Sequence, residues 1–389
     1  MERDFILSGG FVVTEDNVLE EHSLVISAGK IVDIVSGYVE SKNVLDCRGK
    51  YILPGLIDIH SDMIEHLIVP RKGIIFEYDQ ALRQADRQLI GQGITTMYHS
   101  ISVANSTICN RSRTLSVDEM LKIGDVICSI SPNLLIHHYS HIRFELNTIE
   151  AYDEIYERVK HKRVHELSIM DHTPGQGQYT NITRFEKEIR KQYGNVSDDQ
   201  VAEIIDECKN KPQVNEEQIE ALLRLADKHK IPMAYHDVGK IEDIEFMKKY
   251  NINICEFPLN LESAKEATAN NFYSVVGAPN ILRNGSHNNN ASAIELIERR
   301  LANIICSDYY PSAMLSSIFY LTKKIEIPLQ EAVKFVTLNP AKAVKIDDKY
   351  GSLAIGKQAD IIIVDPLASQ FHVAMAFVDG IKKAIYRYQ

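Results

Sequence analysis

Between residues 55 and 307 the chain alternates apolar, strand-like runs with helix-like runs, and this alternation constrains the fold more than any other feature. Strand candidates lie at 55–60, 94–99, 134–138 or 142–146, 167–171, 233–236, 252–257, 275–278 and 304–307. Between two of them, Ile219, Leu222, Leu223 and Ala226 recur at amphipathic helical spacing. Strands separated by helices are the signature of βα units and a parallel sheet. About eight such units in a segment of this size favour a closed barrel over a doubly wound sheet. The expected fold class is α/β, a (β/α)8 TIM-like barrel with a small β-sandwich formed by both chain termini.

The sandwich rests on the two ends of the chain. Phe5-Ile6-Leu7, Phe11-Val12-Val13, Leu24-Val25-Ile26 and Ile31-Val32 are short strand patterns, the last two meeting across an Ala28-Gly29 turn. At the far end the segment from Gly351 to Asp360 runs into Ile361-Ile362-Ile363-Val364. The expected division is 1–53 for the first part of the sandwich, 54–348 for the barrel and 349–389 for the second part.

In barrels of this kind chemistry collects at the C-terminal strand ends, and the acids and histidines of this chain fall there. His60 and Asp62 follow the first strand, two residues apart and so on one side of it. Glu145 ends Ile142-Arg143-Phe144, Asp171 and His172 end Ser168-Ile169-Met170, His236 and Asp237 end Met233-Ala234-Tyr235, and Asp308 follows Ile304-Ile305-Cys306-Ser307. Any one of them reads equally as a satisfied core polar group, whereas the set together reads as a metal site. Imidazole and carboxylate donors suit zinc, manganese, iron or nickel. Two ions are expected, with zinc favoured.

Length and composition set the outer limits. With 389 residues and 45% hydrophobic content the chain can bury a large core, and no apolar run approaches a membrane span. Met1-Glu2-Arg3-Asp4 lacks a signal-peptide pattern, so a cytoplasmic protein is expected. The six cysteines show no C-x-x-C spacing and are expected to be reduced thiols. A formal net charge of −10 disfavours nucleic acid as a partner. Residues 173–215 form a charged excursion that is either a lid over the active face or a solvated helical decoration.

Several longer motifs carry a resemblance. Pro54-Gly55-Leu56-Ile57-Asp58 leading to His60, the lone Asp308 after the eighth strand and the closing Ala359-Asp360-Ile361 segment resemble the amidohydrolase superfamily over nearly the whole chain. Met170-Asp171-His172-Thr173-Pro174-Gly175-Gln176, Gly277-Ala278-Pro279-Asn280-Ile281 with Arg283, Gly285-Ser286-His287 and Ser307-Asp308-Tyr309-Tyr310-Pro311 resemble one branch of it. That branch cleaves α-D-ribose 1-methylphosphonate 5-triphosphate to the 5-phosphate and pyrophosphate. Asp62 stands where most superfamily members have a second histidine, as it does in this branch. No lysine ends a convincing fourth strand, so Glu145 is the natural substitute for the usual carboxylated lysine bridge, its alternative being a buried pair with Arg143.

The resemblance implies water attack on the α-phosphorus, with pyrophosphate leaving in line and neutralised in place. Under this reading His60, Asp62, Glu145, His172, His236 and Asp308 hold the metals, and Asp308 also accepts the proton of the attacking water. Arg71, Arg143, Arg283, Ser286, His287 and Tyr309 are the substrate-binding candidates, since a triphosphate needs cationic and polar donors. Lys72 reads either as a contact or as a solvated side chain. The expected partner is a small phosphorylated sugar, with neither nucleic acid nor membrane involved, and a homodimer is expected. Two competing readings are an amidohydrolase acting on a C–N bond, which would not need several cations, and a silent scaffold subunit, which would not need to bury six ligand-type residues.

Overall fold

The computed structural model describes residues 3–104, 114–283, 291–367 and 370–387. Strands β1 (Phe5–Val13), β2 (Val18–Ser27), β3 (Lys30–Ser36), β4 (Val44–Asp46) and β5 (Tyr51–Pro54) come from the N-terminal end. Strands β14 (Ile361–Leu367), β15 (Gln370–Val378) and β16 (Ile381–Ile385) come from the C-terminal end. They join in one mainly antiparallel sheet, with β5 paired to β14. Leu7, Leu24, Ile52, Ile361, Ile363 and Phe377 are buried together in it, so both termini contribute to one small core. The β2–β3 hairpin closes with Ala28 at φ +50° and Gly29 at φ +78°, and positive φ at both central residues is the turn that matches strand twist. Phe5-Ile6-Leu7 and Phe11-Val12-Val13 belong to the single strand β1. Its first half pairs with β4, its second half with β5, and Gly9 at φ +72° marks the break between them.

The barrel strands are β6 (Leu56–Ser61), β7 (Ile94–Val103), β8 (His137–Glu145), β9 (Glu166–Met170), β10 (Met233–His236), β11 (Ile254–Glu256), β12 (Tyr273–Gly277) and β13 (Ile304–Cys306). They are hydrogen-bonded in chain order, all parallel. A parallel bridge from Ser61 to Asp308 joins the last strand to the first, with the Asp308 N–H donating to the His60 carbonyl at 3.0 Å. The fold is the expected α/β barrel with a terminal sheet. The two candidates for the third strand, 134–138 and 142–146, both overlap one element, β8.

Alternation along β8 shows how the barrel sorts its side chains. Ile142 and Phe144 join the core between sheet and helices, whereas His141, Arg143 and Glu145 share the opposite face and meet the polar cluster described below. Asp86, on the helix Tyr78–Gly91, accepts from the Leu135 and Ile136 N–H groups and so fixes the entry to this strand.

The excursion after β9 folds into two helices, Ile182–Tyr193 and Asp198–Lys209. They enclose a core of their own, made of Tyr179, Phe185, Ile189, Val201, Ile205 and Cys208. Ser197 begins the second helix with a capping box to Gln200, so this start is coded locally. Cys47, Cys128, Cys255 and Cys306 are free thiols, but Cys208 is disulfide-bonded, which corrects the expectation of reduced thiols throughout. Spacing along a chain does not reveal which thiols the fold brings together. Among the described residues no helix is long and apolar enough to cross a membrane.

Candidate metal centre

At the C-terminal ends of the barrel strands, buried histidines and carboxylates converge. His60, on β6, bonds through Nδ1 to Glu256 Oε1 at 2.6 Å, and Ser168 Oγ donates to Glu256 Oε2 at 2.7 Å. His172 follows β9 and is braced by Glu145 at the end of β8. Its N–H donates to Oε1 at 2.9 Å and its Nδ1 lies 2.6 Å from Oε2. His236 ends β10, with Nδ1 3.3 Å from Asp237 Oδ2 and Nε2 2.9 Å from the Arg143 guanidinium. Arg can only donate, so His236 Nε2 accepts here. Asp237, Phe257 and Asp308 follow β10, β11 and β13 with φ of +57°, +52° and +58°. Positive φ is uncommon outside glycine, and here it turns the chain sharply at three strand ends around one site.

Charge in this cluster is ordered by its neighbours. Burial works against a protonated His172, but Glu145 and Asp237 outweigh it and hold its pKa up at about 10. Burial pulls His236 down and favours the neutral imidazole. Burial also works against an ionised Glu256, yet His60 and His141 hold its carboxyl well below the usual range. Asp308 is pushed up to about 6, by burial first and then by the Asp62 carboxylate. Beneath the site Asp58 is likewise raised by burial to about 6, and it accepts from the His60 and Ser307 N–H groups.

These residues fit a divalent cation. His60, His236 and Glu256 offer three ligand atoms within 4.8 Å of one another, and so do His172, His236 and Asp237. His141 Nε2 is buried with no hydrogen-bond partner among the described residues, a costly state that coordination would relieve. Imidazole plus carboxylate is the donor set of zinc and its borderline neighbours.

Of the residues read from sequence, His60, His172 and His236 sit in these groups. Glu145 lies against His172 and in neither group, so its carboxylate braces an imidazole. Asp62 is half-buried, 3.8 Å from His66. Asp308 is near enough for Asp62 and His60 to shift it, and its Oδ2 would lie 3.4 Å from a Cβ placed on Gly277. Arg143 is inside the cluster. Arg71 and Lys72 are exposed in a turn where the Ile74 N–H donates to the Arg71 carbonyl, and no hydrogen bond or ion pair among the described residues joins Arg71 to the site. Arg283 and Tyr309 are also exposed. Ser286 and His287 lie outside the described residues. Glu256 and His141 were missing from the sequence-derived set, and Asp237 was in it as an acid at a strand end but not as a ligand. The signal for Glu256 was an acid within the apolar run 252–257, at the end of the sixth strand.

A profile of the Amidohydrolase family matches residues 51–384. The chain belongs to this family. As an amidohydrolase it is 28% identical over 374 residues to the α-D-ribose 1-methylphosphonate 5-triphosphate diphosphatase of Escherichia coli K12, covering 94% of this chain and 96% of that one. It is 22% identical to the imidazolonepropionase of Picrophilus torridus, over 98% of this chain and 94% of the relative. Among solved amidohydrolase-like folds, molinate hydrolase superposes with a TM-score of 0.67 at 13% identity, over 97% of this chain and 94% of that one. These relatives support a hydrolase, and the barrel supplies the ligand clusters such an enzyme needs.

Proposed function

We propose that the protein is a metal-dependent hydrolase that cleaves α-D-ribose 1-methylphosphonate 5-triphosphate to the 5-phosphate and pyrophosphate, in phosphonate breakdown. Arg143 carries this reading within the site. It places a permanent cation among the histidines, and its Nε is buried with no hydrogen-bond partner among the described residues. A substrate phosphoryl oxygen is the natural acceptor for such a donor. The full-length likeness to the Escherichia coli diphosphatase supports the same choice.

The chemistry a divalent ion supplies when bound is activation of water near neutral pH and polarisation of the phosphoryl oxygen. His60 and His236, with His172 and Asp237 beside them, would hold it. Arg143 orients and neutralises the α-phosphoryl group, so that water meets phosphorus in line with the departing pyrophosphate. Asp308, raised toward neutrality, takes the water's proton at its carboxylate.

Phosphorus NMR of the purified protein with the ribose triphosphate ester tests the reading. Pyrophosphate release supports it, orthophosphate release indicates attack at the γ position, and no turnover overturns it. A second reading, hydrolysis of a C–N bond with the same metals, is favoured by the more distant relatives, such as imidazolonepropionase. Turnover of a cyclic amide in place of the triphosphate would establish it.

A further inference from the structure

We propose that Glu256 is a positioning residue of the metal centre: its carboxylate holds His60 in the tautomer protonated on Nδ1 and so presents Nε2 to a divalent ion. The inference rests on the metal-dependent reading above.

Three observations converge on it. First, both carboxylate oxygens are committed. Oε1 lies 2.6 Å from His60 Nδ1 and Oε2 accepts from Ser168 Oγ at 2.7 Å, so Glu256 reaches the centre chiefly through His60. Second, the pair is sealed, Glu256 being 0% and His60 2% exposed. A carboxylate buried that deeply must be paired and hydrogen-bonded, and here its partners are an imidazole and a hydroxyl that aim it. Third, the imidazole is clamped as well as bonded. Phe257 sets its ring edge-on to His60 at 4.9 Å, and His141 does the same from another side at 5.3 Å. The left-handed φ of +52° at Phe257 turns the chain just past Glu256, a conformation a bulky residue rarely adopts.

Register completes the argument. Glu256 pairs directly with His236 across β10 and β11, so the carboxylate stands level with a second ligand-type imidazole. A hydrogen bond from one ring nitrogen fixes which nitrogen is left for a metal. The Nδ1 bond to Glu256 leaves Nε2 of His60 as that atom.

The test uses the whole protein, stripped with a chelator and reloaded with zinc against a chromophoric competitor. Nitrogen-15 NMR of the histidine rings reads the tautomer in the metal-free protein. The wild type is expected to show a proton on His60 Nδ1 and to take up zinc. Glu256→Gln is expected to weaken zinc binding about 10–100-fold, the usual effect of removing a group that orients a ligand. Glu256→Asp should recover part of that affinity. Ser168→Ala, which removes only the donor to Oε2, should move affinity the same way by less, and it decides the matter if Glu256→Gln fails to fold. Unchanged zinc affinity in the variants, or a wild-type His60 protonated on Nε2, overturns the positioning role alone. A wild type that takes up no zinc overturns the metal reading and this role with it.

Discussion

Replacing Glu145 by Gln separates a metal bridge from a brace. In the structure the carboxylate uses both oxygens on His172, accepting from its N–H at 2.9 Å and lying 2.6 Å from its Nδ1. A carboxamide keeps one acceptor oxygen and turns an NH2 toward the other donor, so one buried donor loses its partner. Burial works against the charged ring, and Glu145 is the first of the neighbours that hold the His172 pKa up at about 10, with Asp237 beside it. Leaving one buried donor unpaired, Glu145→Gln should destabilise the metal-free protein by about 1–3 kcal/mol.

The sign of the pH dependence follows. A histidine whose folded pKa is raised contributes stability that is fully present below its unfolded value of 6.5 and is lost as pH rises through about 10. The difference between wild type and variant, from urea unfolding of the chelated proteins, should therefore be largest near pH 6 and should close toward pH 10. Proton NMR of the His172 ring should show its pKa falling in the variant. A difference that is constant or grows with pH would refute the argument. Loss of bound metal with no change in His172 titration would return Glu145 to the bridging role.

Four further outcomes are expected. His60→Ala should lose at least one equivalent of metal and nearly all turnover while keeping the barrel's circular dichroism, since a ligand is removed and not a core group; full metal content by elemental analysis would contradict it. Arg143→Ala should lower kcat/KM for the triphosphate by about 2–4 kcal/mol at unchanged metal content, and unaffected kinetics would send the search for phosphate contacts elsewhere. Asp308→Asn should retain metal yet lose turnover, because the group that takes the water's proton is gone; a variant that turns over normally would assign the base to another residue. Gly55→Ala should lower the melting temperature, corresponding to about 1–3 kcal/mol, because its Cβ would run into the Thr95 side chain on the adjoining strand; an unchanged melting curve would show that β7 yields there.

The barrel was legible before any coordinates because its signals are local. Each apolar run with its helix after it carries its own period, and β10 at Met233–His236 coincides with the expected strand. The placement of His60, His172 and His236 at strand ends was equally local, since it depends only on where each strand stops. The third strand was read as two alternatives because His137-His138-Tyr139-Ser140-His141 interrupts the apolar pattern, although these residues run through one continuous element. Glu256 was passed over because an acid inside an apolar run gives no hint of its partner.

By itself, then, the sequence determined which residues form strands and which ionisable groups stand at their ends, because period, polarity and turn chemistry act over a few residues. Only the tertiary structure decided which group meets which. His60 and Glu256 are 196 residues apart, and closing the barrel sets them 2.6 Å from one another. The same closure turned Glu145 toward His172 and drew Arg143 into the cluster, and it left Arg71 in an exposed turn. Charge followed from those pairings: a histidine held as a cation and a neighbouring one held neutral differ only in what surrounds them in space.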